Sequence, residues 1–357
     1  MRTSLLVLNE GGGGGRSEKF ETRERLLVEE NWKQLTHTFP TTLSLGLVMA
    51  FMAAFRTIIR EDVDVIHSVS NPFHLHLIAL VLRVVSRRPW IAEFRDPLVT
   101  NPDVEEDSWR ACARRMIETI VVRTADRVAW FDMIQLPENY FKETYPSVPI
   151  ERWVKLPPVG FEQALFEDVQ GVEFDEFTIT YAGSFYQGWI EPYSFLAGVE
   201  QYVSQYGEDI KARFYGDWNN EYQAYVESRE LEDVVTYEGH LPHDEIVPVL
   251  KGSDLLLYIG GSNHRNRRSI SSKMWDYIGA RSPILAIAAD EFRVHDFIKD
   301  YQIGISVISE NTGAIADVIQ AVKTKDFDYT PKEDVFTDYT RSQNVQVLAE
   351  AMNELVD

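Results

Sequence analysis

The chain has a single cysteine, Cys112, in 357 residues. One thiol cannot build an internal disulfide framework or a multi-cysteine metal site. Its residue type favours burial, so Cys112 reads as a packed helix residue. A long apolar run is also lacking. The longest uncharged and mainly apolar stretch, Phe39–Phe55, covers 17 residues and is interrupted by Pro40, Ser44 and Gly46. Crossing a bilayer takes about 20 apolar residues. The stretch therefore reads either as a buried helix of an α/β domain or as a helix lying partly in the membrane interface. No cleavable signal peptide is visible, because polar residues follow the short first strand. Basic charge is scarce as well. The formal net charge is −21, and a nucleic-acid partner would need a basic face.

The acidity is unevenly distributed. Residues 1–150 hold 18 basic and 20 acidic residues, whereas the remaining 207 hold 17 and 36. Two explanations fit. The near-neutral half works beside an anionic membrane, where surplus carboxylates would be repelled. Alternatively, the protein serves a high-salt cytoplasm, and its 24 arginines against 11 lysines agree with that.

The length suits two α/β domains. Strand-like runs alternate with helical ones, the pattern of parallel sheets covered by helices. In the first half the strands are Thr3–Leu8, Asp62–His67, Pro89–Phe94 and Arg127–Phe131, with helices near 72–86 and 105–124. Pro157-Pro158 ends this domain, assigned to 1–158. Residues 159–176 lack periodicity and read as a linker. The cycle restarts with strand Phe177–Tyr181 and continues through strands at 210–215, 234–237, 254–258, 283–288 and 303–307. A second domain is assigned to 177–335. A last helix, within 336–357, spaces Val345, Leu348, Met352 and Leu355 helically and is expected to pack back on the first domain. Little chain precedes Val63 for a full Rossmann half, so the first domain is expected to be abbreviated. Gly11–Gly15 reads as a ligand-approach loop or as a plain connector.

The most informative segment is Ser271-Ser272-Lys273-Met274-Trp275-Asp276-Tyr277-Ile278-Gly279, followed by Pro283-Ile284-Leu285-Ala286. It reads as a helix that begins at a serine cap, ends near a glycine and leads into a buried strand. Lys273 at a helix N-terminus suits an anion. Asp276, one turn on, suits sugar hydroxyls. The loop Asn263–Arg268 is basic within an acidic domain, which makes Arg268 a second anion candidate. Thr180-Tyr181-Ala182-Gly183-Ser184 is a strand ending in Gly-Ser, the place where open α/β sheets take ligands. Tyr237–Pro242 is another such strand end, and His240 there is either a ligand contact or structural. In the first half, Pro89–Pro97 is an apolar strand that ends in Arg95-Asp96. It is preceded by Ser68-Val69-Ser70-Asn71-Pro72-Phe73-His74. His74 and His76 lack metal-ligand spacing, and no metal is expected.

Five of these segments, in order, resemble the family 4-like (group 1) glycosyltransferases. The best two are 89–97, similar to a Trp-Ile-Ala-Asp-Phe-Arg-Asp-Pro string, and 271–286. The resemblance covers about residues 60–310. It implies a GT-B fold, with two Rossmann-like domains facing across a cleft. It further implies transfer of a sugar from a UDP- or GDP-sugar co-substrate to a glycan or lipid-linked acceptor, with retained configuration and no bound metal or tightly held cofactor. Carried onto this chain, Gly183, Ser184, His240, Arg268, Ser272, Lys273 and Asp276 bind the donor. Arg95 and Asn71 meet the acceptor, and Asp96 and His74 are the catalytic candidates. A structural Arg-Asp pair is the alternative for 95–96. The family's paired glutamates, eight apart, are absent: Asp276 fills one position and Arg268 the other. The implied setting is cytoplasmic and peripheral on the inner face of the membrane, with contact through the N-terminal domain. The alternatives are a nucleotide-sugar epimerase of the same fold and a degenerate scaffold subunit.

Overall fold

In the computed structural model the chain forms two compact units, Met1–Pro157 with Val345–Asp357, and Pro158–Asn344. The structure describes residues 5–8, 40–70, 73–95, 98–99, 108–132 and 140–356. Gly11–Gly15, Asn71 and Asp96 lie outside them.

The first unit is a parallel sheet of β1 (Leu5–Leu8), β2 (Val65–Val69), β3 (Trp90–Phe94), β4 (Arg127–Phe131) and β5 (Trp153–Leu156), in that spatial order. Helices α1 (Pro40–Arg60), α2 (His74–Ser86) and α3 (Trp109–Thr124) connect the first four strands, and the short α4 (Tyr140–Thr144) precedes the fifth. Parallel neighbours are joined by right-handed crossovers. When spatial order equals chain order, every crossover falls on the same side of the sheet. The core shows this. Ala54 and Ile58 of α1, Ile78 and Leu82 of α2, and Val121 and Val122 of α3 pack with Ile66, Trp90, Ala92, Val128 and Trp130. The alternate strand residues Val65, Ile91, Ala129 and Phe131 face the other way. That second face is closed by the last helix, through Val347, Leu348, Ala351 and Met352, and by Leu355 just after it.

The second unit contains β6 (Phe177–Gly183), β7 (Ile210–Gly216), β8 (Val235–Gly239), β9 (Leu255–Gly261), β10 (Ile284–Ala288) and β11 (Gly304–Ile308). Their spatial order is β11-β10-β9-β6-β7-β8, all parallel. Its helices are α5 (Gln163–Phe166), α6 (Tyr193–Tyr206), α7 (Asn220–Ser228), α8 (His243–Gly252), α9 (Lys273–Ala280), α10 (Arg293–Tyr301), α11 (Thr312–Lys323) and α12 (Asp334–Asp338); α13 (Arg341–Asn353) starts in the second unit and from Val345 belongs to the first. Strands are added outward in one direction from β6 to β8 and in the other from β9 to β11, so the order switches between β6 and β9. Such a switch point leaves a crevice at the carboxyl ends of the two strands.

Several expectations are corrected. Residues 159–176 are not a linker. Phe161 N–H donates to Tyr339 O, Val172 N–H donates to Pro248 O, and Phe161 and Phe166 pack against Gly279. A Cβ on Gly279 would come within 2.8 Å of the Phe166 ring, so this glycine, next to last in α9, serves close packing. The end is at Arg281, which takes the left-handed conformation at φ 62°. The second unit thus extends to 158–344, beyond 177–335. Trp153–Leu156 is a strand that the sequence reading lacks, and the boundary between the units follows directly after it, at Pro157. Cys112 is exposed on α3, one residue beyond the buried Ala111.

Candidate functional site

Strands β6 and β7 end in register at Gly183 and Gly216. Their φ angles are 142° and 113°, a region open to glycine and poorly accessible to other residues. A Cβ on Gly216 would lie 2.4 Å from Gly183 O, and one on Gly183 would lie 2.9 Å from Lys273 Cε. Two bare strand ends therefore let the lysine at the start of α9 pass beneath the backbone.

Lys273 Nζ donates to the Tyr181 hydroxyl at 2.8 Å and lies 4.6 Å from that ring's centroid. Tyr181 in turn donates to Ser184 O at 2.8 Å and stacks on Phe185 with ring centroids 4.5 Å apart. Desolvation lowers the Lys273 ammonium to about 8. The same burial pushes the Tyr181 phenol well above its ordinary value, so it remains a neutral acceptor for the lysine. Two more buried tyrosines hold the surrounding backbone. Tyr277 accepts from Ala182 N–H at 3.0 Å, and Tyr258 accepts from Ser271 N–H at 3.0 Å. The Ser272 hydroxyl makes no capping hydrogen bond, contrary to the serine-cap reading, and Ser272 itself has helical φ and ψ. The first turn of α9 is thus not capped by that side chain; Met274 N–H and Trp275 N–H donate to Ser271 O and Ser272 O at 3.1 Å.

Asp276 is half-buried on the same helix. His243, the first residue of α8, places Nε2 3.1 Å from Asp276 Oδ1. The hydrogen bond to Asp276 raises the His243 imidazole above 6.5, against the opposing effect of burial. Asp276→Asn is expected to return the His243 titration toward 6.5, as read from its imidazole proton shifts. An unchanged titration would refute the pairing.

These groups line a pocket of about 460 Å³ at the carboxyl ends of β6 and β7. Of the expected donor residues, Gly183, Ser184, His240, Ser272, Lys273 and Asp276 all border it. Arg268 does not: it is exposed in the loop before α9 and is not part of the wall. Sequence reading missed His243 and Tyr215, both of which line the pocket. The available signal for His243 was its position at the start of a helix just after Pro242.

In the first unit, His67 Nε2 lies 2.8 Å from Glu93 Oε2, and Arg95 Nε donates to Glu93 Oε1 at 2.8 Å. Burial alone would raise the Glu93 carboxyl, but His67 and Arg95 together bring it down to about 2. Arg95 N–H donates to Ser70 Oγ at 2.9 Å. The side chain of Arg95 is half-exposed at the end of β3. His74 is half-buried at the start of α2, edge-on to Phe73. His76 is buried, Ser68 Oγ lies 2.7 Å from its Nδ1, and burial lowers its imidazole to about 3. The two histidines thus serve different surroundings. Among the described residues no cluster has metal-binding composition.

No family model matches the chain, and no curated protein sequence matches it. Solved structures do. HepE of Anabaena in complex with UDP aligns with a TM-score of 0.62 at 13% identity, covering 87% of this chain and 84% of that one. Sucrose-phosphate synthase of Thermosynechococcus elongatus aligns at 0.54 and 16%, covering 90% and 77%. The lipopolysaccharide outer core galactosyltransferase WaaB, in its apo form, aligns at 0.54 and 12%, covering 87% and 81%. The chain has the GT-B fold. Within this GT-B chain, the second unit carries the pocket at the carboxyl ends of β6 and β7, and the first unit carries the Glu93–Arg95 pair.

Proposed function

We propose that this chain is a glycosyltransferase that moves a sugar from a nucleotide-sugar donor to a glycan or lipid-linked acceptor. One observation carries the reading: a desolvated lysine and a helix N-terminus converge beneath two glycine strand ends, in a fold shared with solved structures that hold UDP. The donor diphosphate would lie against Lys273, the first amides of α9 and the Gly183 backbone. Asp276, braced by His243, would accept from the ribose hydroxyls. Tyr215 and His240 border the end of the pocket left for the base. As the glycosidic bond breaks, negative charge grows on the diphosphate. Lys273 is already desolvated there and so stabilises that charge strongly. On the acceptor side, Arg95 is oriented by Glu93, and Asp96 beside it in sequence is the proposed base, with Asn71 and His74 as further contacts. A UDP- or GDP-sugar is the proposed donor, and HepE, solved also with UDP-glucose, supports the uridine form.

Thermal melting with UDP, GDP, dTDP and CMP and their sugars tests this. A ligand at about 100 times its Kd stabilises the native state by about 2.7 kcal/mol. For a unit of this size that raises the melting temperature by roughly 5–10 °C. One nucleotide is expected to do so selectively. If none shifts the transition in low or high salt, the donor reading is wrong and a non-enzymatic scaffold takes its place.

A further inference from the structure

The second unit holds another pocket, which the donor reading does not use. It encloses about 240 Å³ at the carboxyl ends of β9 and β10. The buried side chains that line it, Phe195, Ile259 and Ile287, belong to the core between the sheet, α6 and α11. The donor pocket lies on the other sheet face. Its residues Ala182 and Tyr215 alternate with Tyr181 and Phe214 of that same core. The two pockets share no lining residue.

The loop between β6 and α6 stands between them. Tyr186 N–H donates to Ile190 O at 2.9 Å, and the Trp189 and Ile190 N–H groups donate to Tyr186 O at 3.1 and 2.9 Å. Tyr186 and Ile190 border the donor pocket, whereas Trp189 and Glu191 border this one. Ser262 N–H donates to Trp189 O at 2.8 Å, and a Cβ on Gly261 would meet that oxygen at 2.4 Å. The Trp189 wall is therefore pinned to the end of β9. Ser309 is held in the same way, by its N–H bond to Ala288 O at the end of β10. The pocket is formed before any ligand arrives.

Its lining selects a class of ligand. Glu191, Ser194, Ser262 and Ser309 are its polar side chains outside the aromatic rings. None of the four has a side-chain hydrogen bond among the described residues, and neither has the Trp189 indole N–H. No basic residue lines the pocket, so a phosphate would meet the Glu191 carboxylate uncompensated. An ammonium would use the carboxylate and the rings but leave three serines unpaired. A pyranose uses every group. Its C–H face packs on an aromatic ring, its hydroxyls both donate to and accept from the serines, and Glu191 accepts two more bonds. The volume falls below the roughly 300–1,000 Å³ of pockets for drug-sized ligands and suits one sugar residue.

We propose that this pocket is a second carbohydrate site, which holds one neutral sugar residue apart from the donor. It requires no nucleotide and stands independently of the donor reading. A free monosaccharide and one residue of a glycan present the same chemistry.

The test is fluorine NMR of the full chain labelled with fluorotryptophan, with the Trp189 signal assigned from Trp189→Phe. The probes are glucose, galactose, mannose, N-acetylglucosamine and disaccharides of each. At up to about 100 mM, which reveals a Kd in the millimolar range, at least one is expected to move that signal. Tighter binding of the disaccharide would assign a glycan, and equal binding a free sugar. Glu191→Ala is expected to weaken binding at least ~10-fold, the loss of hydrogen bonds to a charged group. It should melt like the parent, because that carboxylate has no hydrogen-bond partner to lose. Lys273→Met should bind the sugar as the parent does, which separates this site from the donor pocket. The proposal is overturned if no sugar moves the Trp189 signal, or if Glu191→Ala binds like the parent. Loss of sugar binding in Lys273→Met overturns it too, as does a response to tetramethylammonium without one to any sugar.

Discussion

Lys273→Met is expected to weaken nucleoside-diphosphate binding by about 10- to 150-fold, the worth of a charge-assisted hydrogen bond at roughly 1.5–3 kcal/mol. The folded chain should be no less stable for the change. Methionine keeps the apolar stem that passes beneath Gly183 and removes an ammonium that burial disfavours. The Tyr181 hydroxyl loses a donor but keeps its own bond to Ser184 O. Two opposite pH trends follow from the lowered value. Unfolded, the lysine holds its proton up to 10.5; folded, only to about 8. Between these values the unfolded state binds more protons, so the lysine's cost to stability shrinks as pH rises through that window. An anionic ligand instead favours the protonated form, so its affinity should fall as pH climbs past about 8. Melting curves and calorimetric titrations from pH 6 to 10 read both trends. The variant should lose both. Parental affinity in the variant, or a melting temperature several degrees lower, would refute the assignment.

Gly216→Ala is expected to lower stability by about 2–4 kcal/mol, which for this unit is a fall in melting temperature of roughly 5–15 °C. The φ of 113° is poorly accessible to alanine, and the new methyl would meet Gly183 O at 2.4 Å. The partner is backbone, not a flexible side chain, so relief requires β6 and β7 to separate at their carboxyl ends. That is the pocket floor, and nucleotide affinity should drop with stability. Gly188→Ala is the control. It also has positive φ, at 84°, but its Cβ would have nothing within 4 Å. It should cost clearly less and leave binding unchanged. Equal losses in the two variants would mean that φ alone, and not the contact between strand ends, matters at Gly216.

Local pattern made much of this architecture legible. Arg127–Phe131 has the bounds read from sequence, because an apolar run between a helix end and polar residues admits few alternatives. The segment around Lys273 was found because a cation, a carboxylate and a following buried strand are consecutive in the chain. What escaped depends on partners far away in sequence. Residues 159–176 look aperiodic because their order comes from Tyr339, Gly279 and Pro248. Arg268 is near Lys273 in sequence, but the short 3-10 turn at His264–Asn266 and the chain after it leave it outside the pocket wall. Cys112 illustrates a different limit. Its residue type favours burial, yet the helical phase places it on the outward side of α3, one position from Ala111. His243 meets Asp276 only because α8 and α9 lie together.

The last helix has a consequence for how the protein is made. The β2–β5 sheet face that it covers is bare until Val347, Ala351 and Met352 arrive, more than two hundred residues after Val65. Arg127 finds Glu354 across 227 positions. A ribosome releases the strands, then the second unit, and the covering helix after both. The part of the chain synthesised first is therefore completed last. The entropy of closing so long a loop rises only logarithmically with its length, so the finished protein bears little of that cost. The nascent chain bears it as time, during which an apolar sheet face waits for that helix.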